Sequence, residues 1–374
     1  MPAKPKIAIL CSFPVFLLTD ALPRHTGHYG VWLLALYHAF SRQDDYEIHW
    51  VTLDKHIRQP LRFQSNGQFF HVLHRIKRPY GLVTWYHHDR KQVAAELDLI
   101  RPQLVHSWGT EDCYGLCAKY YSGKKLHSVQ GALRAYFQRG RLYWFTRVQS
   151  YYEPLTWRAF RHITTESPWA AERVRETCPG ITPYHLEYAV EDRFFHVQRQ
   201  MAVSPVILYC GAYTPLKNLP VLIQAFSRPE LAGITLKLAG VKPGYYRNLP
   251  PNIIPLGWVA RDRITELLSE AWGVVHMSFA DTGPTIVKEA RVAGLPVIIS
   301  CECGSKQYVD HGKSGFILHP RDVDGIVSSV LAITKDATTS LCMGRHGQQE
   351  CRQALCPDTM VTTLLGIYET VMQG

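Results

Sequence analysis

The stretch DTGPTIVKEARVAGLPV, residues 281–297, reads as a turn followed by a short helix. It lies between two strand-like runs, GVVHMS (273–278) and LPVIIS (295–300). Strand, helix, strand is the repeating unit of a parallel α/β sheet. Pro284 suits the first helical position. The backbone N–H groups near Gly283 and Thr285 then point outward with the positive end of the helix dipole, an arrangement that suits phosphate. Asp281 precedes the turn, and Glu289 lies more than one turn into the helix. Carboxylates repel phosphate but accept hydrogen bonds from hydroxyls, so the pattern fits a ligand built as polyol, phosphate, polyol. A capped helix with solvated acids explains the same residues without a ligand.

The alternation extends outward from this stretch. In the second half, VILYCGAY (206–213) and ITLKLAG (234–240) are strand-like, while LPVLIQAF (219–226) and RITELLSEA (263–271) are helical. In the first half, KIAIL (6–10), YEIHWVTL (46–53), LVHSWGTED (104–112) and LHSVQG (126–131) alternate with helical YGVWLLALYHAFSRQ (29–43) and VAAELDLIRP (93–102). The pattern predicts two doubly wound, Rossmann-like parallel-sheet α/β domains, residues 1–195 and 196–356. The seam falls in the polar stretch EDRFFHVQRQMAVSP (191–205), and PDTMVTTLLGIYETVMQG (357–374) reads as a closing amphipathic helix.

Size and composition agree with this organisation. A chain of 374 residues exceeds one ordinary core, and 46% apolar with 19% charged residues is globular rather than disordered. No apolar run approaches the ~20 residues of a membrane span. The start, MPAKPKIAILCSFPVF, sets two lysines before an apolar run. Ser12 and Pro14 interrupt that run, and it reads as a buried strand rather than a signal peptide. Ten irregularly spaced cysteines fit a reducing cytoplasm. The charge of +10 is uneven: residues 1–195 hold 25 Lys/Arg against 17 Asp/Glu, and residues 196–374 hold 16 against 14. A basic first half implies an anionic partner.

Ligands of open α/β sheets bind where strands end in loops, and three more loops carry candidate chemistry. In GAYTPLKNLPVLIQAF (211–226), Gly211 ends a strand and Lys217 can reach a phosphate or stand as a surface lysine. In TGHYGVWLLAL (26–36), Gly27 and Gly30 precede a helix and admit close approach of backbone to a ligand; a plain loop explains them equally. In HSWGTEDCYG (106–115), His106 leaves a strand, where it orients a hydroxyl or fills a structural place, and Glu111 follows.

Together these loops resemble the retaining, nucleotide-sugar-dependent glycosyltransferases of family 4, of bacterial surface-glycan type. The 281–289 stretch is similar to their E-x7-E pattern with Asp281 for the first Glu. GAYTPLKN is similar to their G-x5-K-N/G, HSWGTE and SVQG to two strand ends, and HGKSGFILHPRD (311–322) to a segment late in the donor domain. The resemblance implies the GT-B fold, two Rossmann-like domains facing across a cleft, with the last helix crossing back to the first domain. It implies that Glu289 binds the donor ribose, that Asp281 contacts hydroxyls of the transferred sugar, that backbone at Gly283, Pro284 and Thr285 lies along sugar and diphosphate, and that Gly211, Gly27 and Gly30 also belong to the donor-binding set. It implies too that Lys217 neutralises the leaving diphosphate, that His106 joins Lys217, Asp281 and Glu289 as a catalytic, hydroxyl-orienting residue, and that Trp108, Glu111 and Gln130 lie on the acceptor side. No bound cofactor or metal is implied; the nucleotide-sugar, UDP-linked by default, is a co-substrate. Many relatives carry Arg directly after the strand-end Gly; here Ala212 stands there. Another cation substitutes, or Lys217 acts alone.

RAYFQRGRLYWFTRVQSYYEPLTWRAFR (134–161) holds six arginines, one acid and nine aromatics. This mixture suits an anionic membrane surface, and with it a glycan or lipid-linked acceptor at the inner face of a bacterial membrane; an ordinary half-buried helix pair is the alternative. Nothing else supports nucleic acid, and no Cys or His pair is completed to a recognised zinc spacing. Two other functions fit the architecture: a sugar-nucleotide epimerase, which needs no acceptor surface, and a non-catalytic sugar-nucleotide or glycan binder.

Overall fold

The apolar runs become the strands of two sheets. A computed structural model describes residues 4–23, 30–140 and 142–374. The first sheet contains β1 (Lys6–Leu10), β2 (Glu47–Asp54), β3 (Leu61–Ser65), β4 (Gln68–His74), β5 (Leu104–Trp108), β6 (Lys124–Val129), β7 (His162–Thr165) and β8 (Tyr184–His185). Their spatial order is β3-β4-β2-β1-β5-β6-β7-β8. Every neighbouring pair is parallel except β3 and β4, a hairpin closed by the two residues Asn66 and Gly67. Both of those residues have positive φ, as the favoured two-residue hairpin turn requires.

The second sheet is wholly parallel. It contains β9 (Val206–Cys210), β10 (Thr235–Ala239), β11 (Ile253–Gly257), β12 (Gly273–His276), β13 (Val297–Ser300) and β14 (Gly315–Leu318), in the order β11-β10-β9-β12-β13-β14. Each sheet grows to one side of its first strand and then reverses. The reversal lies between β1 and β5 in one and between β9 and β12 in the other. Connections leave those two strands in opposite directions, so a crevice opens at their carboxyl ends.

The chain divides into two compact units. One comprises residues 1–137, 142–189 and 357–374; the other comprises 190–356 with 138–141. The helix Pro357–Gln373 belongs to the first unit because Met360, Leu364, Ile367, Tyr368 and Val371 recur on one face and enter its core. The second unit begins before the polar stretch read as the seam. Val190 N–H donates to Leu355 O at 3.0 Å, and Phe194 is fully buried in the second unit's core. Among the described residues no helix is long and apolar enough to cross a membrane.

Candidate functional site

The second unit's reversal point gathers the predicted donor-side residues. Gly211 N–H donates to Ala239 O at 3.0 Å, so the pairing with β10 runs one residue past the end of β9. Beside it, Gly240 has φ of +92°, and a Cβ there would stand 2.3 Å from Gly211 O; only glycine lets the two strand ends pass. Asn218 then adopts a left-handed conformation after the turn Pro215–Lys217. Its amide donates to Met277 O at 3.0 Å and Pro320 O at 2.5 Å. Phe279 N–H donates to Leu216 O at 2.8 Å. These bonds fasten the loop after β9 to the loop after β12, and Lys217 Nζ meets Asp281 Oδ2 at 2.5 Å.

The same carboxylate oxygen has a second donor. His276, the last residue of β12, is 1% exposed, and its Nε2 donates to Asp281 Oδ2 at 3.0 Å. Nε2 also lies 2.8 Å from Ser278 Oγ, while Nδ1 has no hydrogen-bond partner among the described residues. The proton therefore sits on Nε2, facing the carboxylate. Burial pushes the Asp281 carboxyl up, but the Lys217 ammonium and the His276 hydrogen bond outweigh it and hold the group well below the usual carboxylate range. Burial also lowers His276, which stays neutral beside the Lys217 charge. The Asp281 backbone is fixed as well: its N–H donates to Glu302 O at 3.2 Å, and its carbonyl accepts from Gly304 N–H at 2.8 Å.

Glu289 is placed by the helix Thr285–Val292. Pro284 is the residue before this helix rather than its first member, and as the N-cap it makes no side-chain capping bond. The N–H groups of Thr285 and Ile286 stand in the first turn, where helix geometry supplies no intrahelical acceptor. Glu289 is 1% exposed and accepts from Arg261 Nη2 at 2.6 Å. Arg261 also donates from Nε to Glu191 Oε1 at 2.8 Å, and its guanidinium lies 4.7 Å over the Phe194 ring. Burial raises Glu289, and Arg261 holds part of that rise back. Arg291 is taken up elsewhere: it is fully buried and donates to the carbonyls of Tyr308, Leu295, Gly344 and His346. Among the described residues no three His, Cys, Asp or Glu side chains converge as a metal-binding group.

In the first unit the predicted residues separate. Gly27 lies outside the described residues, and Gly30 precedes the helix Val31–Phe40. His106 is fully buried with both ring nitrogens engaged, Nδ1 2.8 Å from Tyr368 Oη and Nε2 2.7 Å from Ser128 Oγ. It ties β5 to β6 and to the last helix, which favours its structural reading. Trp108 is 2% exposed and packs on Tyr188. Glu111 and Gln130 do come together at the reversal of the first sheet. Within that cluster, a Cβ at Gly131 would lie 2.1 Å from Glu111 Oε1, and one at Gly109 3.1 Å from Gln130 Oε1.

Arg261, Glu191, His276 and Glu153 carry charge or polarity at these sites and were not singled out by motif. Glu153 is 1% exposed and accepts from the N–H groups of Leu133 and Arg134 at 2.6 and 3.0 Å. Burial pushes its carboxyl up to about 8 despite those bonds, with Glu111 adding to the rise. The one visible signal among these four was a histidine in an otherwise apolar strand, GVVHMS.

Comparison with known proteins fits this geometry. Residues 192–350 match the family Glycosyl transferases group 1. The O-antigen chain mannosyltransferase C of Escherichia coli is 24% identical over 200 residues, 51% of this chain and 50% of that protein. The chain spans about half the length of the curated relatives it matches. Sucrose-phosphate synthase from Thermosynechococcus elongatus superposes with a TM-score of 0.82 at 14% identity, covering 99% of this chain and 100% of that one. Anabaena Alr3699/HepE, solved with UDP and glucose, gives 0.68 at 14% identity over 99% and 100%. The chain thus has the GT-B fold, and its residues 192–350 are similar to the glycosyl transferases group 1 family.

Proposed function

We propose that the protein is a retaining, metal-independent glycosyltransferase that moves a sugar from a nucleotide-sugar, UDP-linked by first choice, to a glycan or lipid-linked acceptor in bacterial polysaccharide synthesis. The observation that carries this reading is the cluster at the reversal of the second sheet. A lysine, a helix start led by Pro284 and two buried acids converge there, each acid held by a cation from another element. In this reading Glu289 receives the ribose hydroxyls and Asp281 the hydroxyls of the transferred sugar. Lys217 and the backbone from Gly283 to Thr285 meet the diphosphate, where charge gathers as the glycosidic bond breaks. Arg261 aims Glu289 and offsets part of the burial that disfavours its charge, rather than replacing the cation missing at Ala212. HepE was solved with UDP and glucose, which supports UDP as the first nucleotide to try.

The acceptor side draws on the first unit. Along the helix Trp144–Trp157, the exposed Trp144, Arg147, Tyr151 and Leu155 recur at helical spacing, while Gln149, Ser150, Glu153 and Trp157 are buried. An aromatic and basic face of this kind suits an anionic membrane surface at the inner face of the cytoplasmic membrane. No nucleic acid takes part in this reading.

The test is thermal unfolding with UDP, GDP and ADP for wild type and Glu289→Gln. A nucleotide at a hundred times its Kd adds about 2.7 kcal/mol to the folded state. One nucleotide stabilises wild type and loses most of that effect in the variant. If none stabilises either protein, the donor site is wrong. A binding-only protein remains the second reading, favoured by Ala212 and by the engagement of Lys217 with Asp281; it would bind the nucleotide-sugar without consuming it.

A further inference from the structure

Lys217 and Asp281 are assigned to different parts of one donor, the diphosphate and the sugar, yet they grip each other at 2.5 Å. If the ammonium moves to a diphosphate, it leaves a carboxylate that is 9% exposed. A buried carboxylate that loses its only partner is strongly destabilised. Asp281 avoids this because Oδ2 has a second donor in His276 Nε2, at 3.0 Å. His276 is suited to stay behind: it sits within β12, its ring stacks on Tyr209 with an interplanar angle of 6°, and Ser278 Oγ lies 2.8 Å from the same nitrogen. The geometry points to His276 as a positioning residue that holds the Asp281 carboxylate while Lys217 leaves for a bound diphosphate. This rests on the donor-site reading above.

The consequence is a coupling between His276 and Asp281 that appears only when a diphosphate binds. In His276→Leu the carboxylate has Lys217 alone, so a diphosphate must strand the carboxylate to recruit the lysine. Affinity falls by at least ~10-fold, a small part of the roughly 150-fold that fully breaking a buried ion pair would cost. His276→Gln, whose amide can donate in place of Nε2, keeps most of the affinity. Asp281→Asn removes the charge that holds Lys217 back, so it binds the diphosphate at least as tightly as wild type. The double variant His276→Leu/Asp281→Asn regains the affinity lost in His276→Leu.

Calorimetric titration of the full chain with UDP, GDP and ADP tests this, and unfolding without ligand checks that each variant is folded. A loss in His276→Leu that the double variant cancels supports the role, since a merely structural histidine would leave the double variant at least as weak. Wild-type affinity in His276→Leu, or a loss that persists in the double variant, overturns it. Should His276→Leu not fold, Asp281→Asn decides alone: weaker binding than wild type refutes the inference. Failure of all three diphosphates to bind wild type is a different result, and it removes the donor site itself.

Discussion

Replacing Arg261 with methionine leaves Glu289 buried without its cation. Glu191 keeps Arg193, whose Nε lies 3.2 Å from its Oε2, so the stranded group is Glu289 alone. Removing one partner of a buried pair costs about 3–5 kcal/mol. Glu289 has an escape, since it can take a proton. From an unfolded pKa of about 4.3, protonation at pH 7 costs about 3.7 kcal/mol, and this caps the loss. The predicted destabilisation at pH 7 is therefore about 3–4 kcal/mol, a fall on the order of 10 °C for a unit of this size. A carboxyl whose folded pKa lies above its unfolded value binds its proton more tightly when folded. The penalty thus grows as pH rises and shrinks by about 1.4 kcal/mol per unit as pH falls towards 4.5. Hydrogen exchange of peptides from residues 190–356, with urea denaturation of the full chain at pH 5 and 7, measures it. Arg261→Met/Glu289→Gln should recover most of the stability. A loss below about 1 kcal/mol at pH 7, or one that ignores pH, would refute the argument.

Three further expectations concern other parts of the chain. Glu153, pushed up to about 8 by burial, lends the first unit stability that is complete at pH 4 and lost as pH rises through 8; in Glu153→Gln the difference between denaturation at pH 5 and pH 8 should flatten. Tyr368→Phe removes the hydroxyl on His106 Nδ1 and should lower first-unit stability by about 1–3 kcal/mol in urea titrations, with nucleotide binding unchanged. Gly240→Ala sets a Cβ 2.3 Å from Gly211 O at a left-handed φ, so it should cost more than about 1 kcal/mol and weaken nucleotide-dependent thermal shifts.

Strands with continuous apolar runs and helices with clear periodicity were legible in the sequence; LPVLIQAF became the helix Leu219–Phe226 without a shift. The β3–β4 hairpin was not. Its strands mix Arg62, Gln64, Gln68 and His71 with the apolar positions, and a partly exposed edge weakens the pattern. The short β7 and β8 were missed too: β7, HITT, is mostly polar where the equally short β12 and β13 are mostly apolar, and β8 holds only two residues. The loops of the candidate site could be read because local spacing sets a strand end and a helix start. Arg261 could not, because its bond to Glu289 joins two helices through the fold and leaves no spacing to read. For His106 the sequence left an active-site and a structural reading open, and its bond to Tyr368, far along the chain, favours the structural one.

The assignment of residues 357–374 to the first unit has a temporal consequence. The first unit lacks one wall of its core until its last segment leaves the ribosome, whereas residues 190–356 are complete before that segment is made. The second unit can therefore finish folding first although it comes later in the gene. Until the segment carrying Leu364 and Tyr368 arrives, the first unit must wait with an open apolar face, and that interval is when a chaperone has most to hold.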